Sequence, residues 1–128
     1  MVVGVGIDIV YLKTFRARLS DELVDELFLP SEVEYCRSQA RSWEAFGARL
    51  AAKEALFKAL GAGLAQGIRW KDVEILREPS GEPQLSLKGT ALEVARDRGA
   101  GRWLLSLTHS RESAAAVVVL DSHPAKAE

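Results

Sequence analysis

A single α+β domain, built on a mainly antiparallel sheet and one long central helix, is the fold predicted for this 128-residue chain. Strand-like alternation opens and closes the sequence, helical periodicity fills most of the middle, and no linker-like stretch divides it. The domain is expected over residues 1–121, with "SHPAKAE" (122–128) as a disordered tail.

The elements follow in order. Val2 to Val10 alternates as a strand, with Val3, Val5, Ile7 and Ile9 on one face and Gly4, Gly6, Asp8 and Val10 on the other. The two glycines are expected to leave open space beside the Asp8 carboxylate. A helix follows over Leu12 to Leu19, and Ser20 starts a second over "SDELVDELF". Ser31 with Glu34 reads as a capping box opening "SEVEYCRSQA" after Pro30. The central helix spans about Trp43 to Leu60, and "GAG" (61–63) stops it. "WKDVEIL" (70–76) and "QLSLK" (84–88) are strands of a hairpin around "PSGEP" (79–83). Thr90 to Arg98 is a helix ended by Gly99, and "RWLLSLTHS" and "AAAVVVL" form a closing hairpin.

Composition narrows the function classes. Apolar residues make up 48% and charged residues 27%, as in ordinary globular domains. A net charge of −1 carries no bulk signature of nucleic-acid or anionic-membrane binding. No apolar run approaches the roughly 20 residues of a membrane span. "MVVGVGIDIV" lacks the basic flank and cleavage site of a signal peptide. Cys36 is the sole cysteine, which fits a reducing, cytoplasmic setting.

The stretch "RLAAKEALFKALGAG" (49–63) poses a question of its own. It is apolar nearly all round, yet it contains Arg49, Lys53, Glu54 and Lys58. Buried charges are costly unless paired or bound to something. Phe46, Leu50, Phe57 and Leu60 form one stripe, and Lys53 falls within it. Glu54 and Lys58 project from neighbouring turns, which by spacing alone also describes an ion pair on a solvated face. Asp8 alone could be an exposed strand residue, and His109, between Thr108 and Ser110, a hydrogen-bonded structural group. "GVGID" lacks the third glycine of a dinucleotide loop. Taken together, Asp8 and Glu54 are two hard oxygen ligands of the kind that hold Mg²⁺ alongside water and phosphate. Lys58, Arg49 and Lys53 suit further phosphate oxygens. The residues by themselves point to a Mg²⁺–phosphate site and no further.

"GIDIV" (6–10), the 49–63 stretch, and "SLTHS" (106–110) followed by "AAAVVVL" resemble the holo-acyl-carrier-protein synthases, the small bacterial 4′-phosphopantetheinyl transferases. The resemblance spans about Val2 to Leu120. It implies that fold, and transfer of the phosphopantetheine arm of coenzyme A to a serine of apo-acyl carrier protein, releasing adenosine 3′,5′-bisphosphate. Asp8 and Glu54 match the family's magnesium ligands. Lys58 matches a lysine on the phosphates of coenzyme A, and Arg49 and His109 match residues at the coenzyme A site. Glu54 and Lys58 are the implied catalytic residues, with Glu54 or a water as proton acceptor. Lys53 would either snorkel from the apolar stripe or touch the ligand. A homotrimer with sites at its interfaces is implied, and a neighbour covering part of the apolar helix would account for its composition. Tyr11 and Thr14 depart from a commonly acidic and an often basic position, so carrier recognition is where this chain is expected to differ. The competing readings are a non-catalytic coenzyme A-binding homologue and a transferase serving polyketide or peptide synthase carriers. Lys13, Arg16 and Arg18 are the basic residues expected to meet an acidic carrier.

Overall fold

The computed structural model describes residues 1–123. β1 (Val2–Tyr11) runs directly into α1 (Leu12–Arg18), and two more short helices follow, α2 (Asp21–Leu27) and α3 (Pro30–Arg37). α4 (Ser42–Leu60) is the 19-residue central helix. β2 (Val73–Arg77) and β3 (Pro83–Leu87) make a hairpin, α5 (Gly89–Asp97) follows, and β4 (Arg102–His109) and β5 (Ser113–Asp121) form the last one. Both sheets are antiparallel: a three-stranded sheet of order β1-β5-β4 and the two-stranded β2-β3.

α4 lies across one face of the larger sheet. Ala114, Ala116, Val118 and Leu120 of the central strand β5 point toward it and are buried. Ala51, Ala52, Ala55 and Ala59 answer from the helix. Small residues on both sides bring the backbones close, and the glycines of β1 take this furthest. A Cβ at Gly4 would collide with the carbonyl oxygen of Ala59, and one at Gly6 with that of Ala55. The expected open space beside Asp8 is therefore filled by the α4 backbone. What the glycines do is seat the helix that carries Glu54 and Lys58 directly on the strand that carries Asp8.

A second cluster wraps the first half of α4. Phe15, Val24, Leu27, Phe28, Cys36, Ala45 and Phe46 are buried there, each large side chain contributing about 1.5–3 kcal/mol. α4 is thus enclosed by its own chain, by the sheet on one side and the short helices on another. On α4 itself Leu50 and Phe57 stay half-buried, and most of the apolar surface left open lies on the outer face of the sheet. Val5, Ile7, Ile9 and Tyr11 project there from β1 and Leu104 from β4, with Ile7 67% exposed.

Two local readings are also corrected. α3 begins at Pro30 with Leu29 before it, and it is Glu32, not Glu34, whose carboxylate accepts from the Leu29 N–H at 2.8 Å. Proline suits the first helical position, which moves the start one residue ahead of Ser31; the Ser31 hydroxyl donates instead to Glu74. Trp70–Asp72 is a single 3-10 turn, and β2 starts only at Val73. The Asp72 carboxylate accepts from the Arg69 N–H at 3.0 Å and holds that turn closed. α4 ends as expected, with Gly61 at φ 67°. Of the expected tail, Ser122 donates its N–H to the Met1 carbonyl at 2.8 Å, and residues 124–128 lie outside the described residues.

Candidate active site

Asp8 and Lys58 meet where α4 crosses β1. Lys58 Nζ lies 2.8 Å from Asp8 Oδ1 and donates to the Ile7 carbonyl at 3.1 Å. Lys58 therefore pairs across to the strand instead of with Glu54 along its own helix. Glu54 is half-buried beside Asp8. Burial, then the adjacent Asp8 carboxylate, push its carboxyl up to about 7, against the pull of Lys58. Asp8 Oδ2 is buried and has no hydrogen-bond partner. Two adjacent carboxylates share one lysine, and one of their oxygens is left unsatisfied. That is the donor set of a hard divalent cation, and Mg²⁺ fits it. Among the described residues no cluster of three or more His, Cys, Asp or Glu side chains gathers, so water and phosphate would have to complete the shell.

Arg49 and His109 come together elsewhere. Arg49 is buried, with its guanidinium carbon 4.2 Å from the centroid of the Tyr35 ring. Arg77 lies 4.9 Å from the same centroid and donates to the Tyr35 hydroxyl at 2.7 Å. His109 Nδ1 is 3.1 Å from Glu44 Oε1, and Arg41 Nε donates to Glu44 Oε2 at 2.8 Å. These residues line a cleft of about 220 Å³, which adjoins another of about 340 Å³ bounded by Gly81, Pro83 and Thr108. Three guanidinium groups and an imidazole face a single carboxylate, and Arg49 Nε is buried without a partner. The cleft is built for an anion.

The two groups do not converge within one chain. Arg49 and Lys58 are nine positions apart on α4, which is two and a half helical turns, so they leave on opposite sides of it.

Lys53 belongs to neither group. It is fully buried, and its Nζ donates to Glu32 Oε1 and the Leu27 carbonyl, both at 2.8 Å, and to the Trp70 carbonyl at 3.2 Å. Both expectations for it, snorkelling and ligand contact, are overturned: three protein acceptors use all three of its donors.

The basic helix divides as its geometry requires. Arg16 is stacked on Trp43, its guanidinium carbon 3.5 Å from the ring centroid. Lys13, Arg16, Trp43 and Arg111 line one groove of about 480 Å³. Arg18 lies instead in a shallow depression with Ser20, Glu22 and Asp25.

Comparison with known proteins decides the family. The 4′-phosphopantetheinyl transferase superfamily pattern matches residues 4–118. This chain belongs to that superfamily. Among its relatives, a holo-[acyl-carrier-protein] synthase of Geobacter sp. (strain M21) is 44% identical over 124 residues, covering 94% of this chain and 99% of the relative. One of Salinispora arenicola is 46% identical over 124 residues, with the same coverage. The solved holo-(acyl-carrier-protein) synthase of Bacillus anthracis, in complex with CoA (3′,5′-ADP), superposes with a TM-score of 0.81 at 31% identity, covering 96% of this chain and 99% of that one. In the transferase superfamily member described here, the mixed α and antiparallel β architecture is thus shared over nearly its whole length.

Several cleft and groove residues escape a reading of sequence alone. Tyr35, Arg41, Glu44, Arg77, Trp43 and Arg111 come from four separate segments, and only folding joins them.

Proposed function

We propose that this chain transfers the 4′-phosphopantetheine group of coenzyme A to a serine of apo-acyl carrier protein, releasing adenosine 3′,5′-bisphosphate. One observation carries the reading: Asp8, Glu54 and Lys58 meet from two elements, with a buried Asp8 oxygen left unpartnered. Asp8 and Glu54 would hold Mg²⁺, which when bound neutralises charge on the diphosphate of coenzyme A. The serine hydroxyl attacks the β-phosphorus, and its proton passes to Glu54 directly or through a water. The bond from that phosphorus to the bridging oxygen breaks. Lys58 lies where it can meet the charge that grows on the departing bisphosphate.

Arg49 and His109 bind the nucleotide end of coenzyme A. They face a different side of α4 from Lys58, so a whole site needs the cleft of one subunit beside the carboxylates of another. A homotrimer, with the sheet faces of Val5, Ile7 and Ile9 covered by other copies, supplies both requirements. The transferase domain is residues 1–121. No helix among the described residues is long and apolar enough to cross a membrane. A cytoplasmic place, in fatty acid biosynthesis, fits a chain whose cysteine is free. Incubation with coenzyme A, Mg²⁺ and an apo carrier, read by mass spectrometry, tests the whole proposal. Addition of one phosphopantetheine group is expected, and an unmodified carrier overturns it.

A further inference from the structure

Glu44 is a buried carboxylate that the reaction above leaves without a role. It sits in the first turn of α4 and is 5% exposed. Both of its oxygens are engaged, Oε1 by His109 Nδ1 at 3.1 Å and Oε2 by Arg41 Nε at 2.8 Å. The other buried glutamate behaves differently. Glu32 accepts from the backbone N–H groups of Leu29 and Ile75 and from the enclosed Lys53, so everything it holds is internal. Glu44 holds two side chains that line the cleft, and it lines the cleft itself.

We infer that Glu44 is a positioning residue for coenzyme A recognition, fixing His109 with its proton on Nδ1 so that Nε2 is the nitrogen turned to the ligand. This rests on the proposed reading of the cleft as the nucleotide site. A carboxylate only accepts, so a neutral imidazole bonded to it through Nδ1 must carry its proton there. The ring is otherwise lightly held: His109 is the last residue of β4, and its side chain is 44% exposed. α4, packed against the sheet and the short helices, supplies a rigid anchor 65 residues away in sequence. The same carboxylate draws Arg41 to the rim, so one buried group sets two ligand-facing side chains.

The test uses the full-length protein. Long-range ¹⁵N–¹H spectra read the tautomer directly, because the chain has only two histidines, His109 and His123. In the wild type His109 is expected to be the Nδ1–H tautomer, and Nε2–H would overturn the inference without any variant. Glu44→Gln, His109→Ala and the double variant are then compared in steady-state kinetics, with thermal melts to confirm folding. Loss of one charge-assisted bond should raise KM for coenzyme A about tenfold in Glu44→Gln, with kcat and carrier KM nearly unchanged. Added to His109→Ala, the same change should raise it by no more than about twofold, the part owed to Arg41. Full additivity, or an unaltered coenzyme A KM in Glu44→Gln alone, overturns the inference and leaves the cleft reading standing. An unaltered KM in His109→Ala overturns the cleft reading and the inference with it.

Discussion

Lys53 and Glu32 form an ion pair at 2.8 Å in which neither side chain reaches solvent. Burial pulls the lysine pKa down, and Glu32 works against that pull. The pair joins α3 to α4. Its remaining bonds, to Leu27, Trp70, Leu29 and Ile75, hold α2, the 3-10 turn and β2 against the same point. Removing one partner leaves a buried charge or orphaned donors. Lys53→Met and Glu32→Gln are each expected to cost about 3–5 kcal/mol. Urea unfolding measures it, and the double variant should lose less than the two singles summed. A midpoint left unmoved by either single change would remove this pair from the account of stability.

The carboxylate pair makes a separate prediction. Asp8→Asn and Glu54→Gln keep shape but remove the charge that attracts a divalent ion. Each variant should stay folded, fail to transfer phosphopantetheine at saturating Mg²⁺, and bind Mn²⁺ at least about tenfold more weakly by paramagnetic relaxation. Full activity in either one rules out that residue as a metal ligand.

Cys36 is fully buried, and burial pushes its thiol up to about 12. The thiolate is the reactive form, so at pH 8 the native thiol is both covered and protonated. Its reaction with a disulfide reagent should be at least about a thousandfold slower than in the urea-unfolded chain, because it must wait for opening. The sign with pH follows from the shift. The unfolded chain loses this proton near the ordinary thiol value and the folded chain only near 12. Above pH 9 the thiol therefore favours unfolding increasingly as pH rises. Rapid modification of the folded protein at pH 8 would contradict the packing around α3.

Much of this was legible in the sequence, and the exceptions share a cause. Strand alternation, the Gly61 stop and the charged helix are local signals, and their elements lie where expected. Periodicity placed Asp8 on the Gly4–Gly6 face, but it could not say whether that face opened to a ligand or closed on a helix. The alanines of α4 decide that, and they are some 50 positions away in sequence. Lys53 and Glu54 are neighbours with opposite fates because consecutive helical residues diverge by about 100°: one turns into the protein and the other toward Asp8. The long-range partners Glu32 and Glu44 had no sequence signal to name them.

The open sheet face predicts an assembly. Val5, Ile7 and Ile9 are more than half exposed on a strand that also carries Asp8. Sedimentation at micromolar concentration should give three times the chain mass. Ile7→Arg places a charge within that face and should yield folded monomers with little transfer activity. A fully active monomer would refute both the trimer and a site shared between subunits.

Carrier docking gives the last prediction. The chain is nearly neutral overall, so an acidic partner must be met by a local patch. Lys13, Arg16 and Arg111 supply one around Trp43, and the stacking of Arg16 on that ring limits its freedom before any partner arrives. Arg18 lines a different depression, which it shares with the acidic Glu22 and Asp25 and which an acidic partner would meet less readily. The three basic residues of α1 should therefore not contribute equally. Lys13→Glu with Arg16→Glu is expected to raise KM for the apo carrier at least about tenfold, since each reversal replaces attraction with repulsion. Arg18→Glu should change it by less than about threefold. Coenzyme A KM should stay put in both, because Arg49 and His109 line a different cleft. Salt should weaken carrier binding to the wild type, as exposed attractions are screened beyond roughly 8–10 Å, and should do so far less in the double reversal. Equal effects at Lys13, Arg16 and Arg18 would mean that the carrier covers the whole helix. No effect at any of them would place docking on another surface.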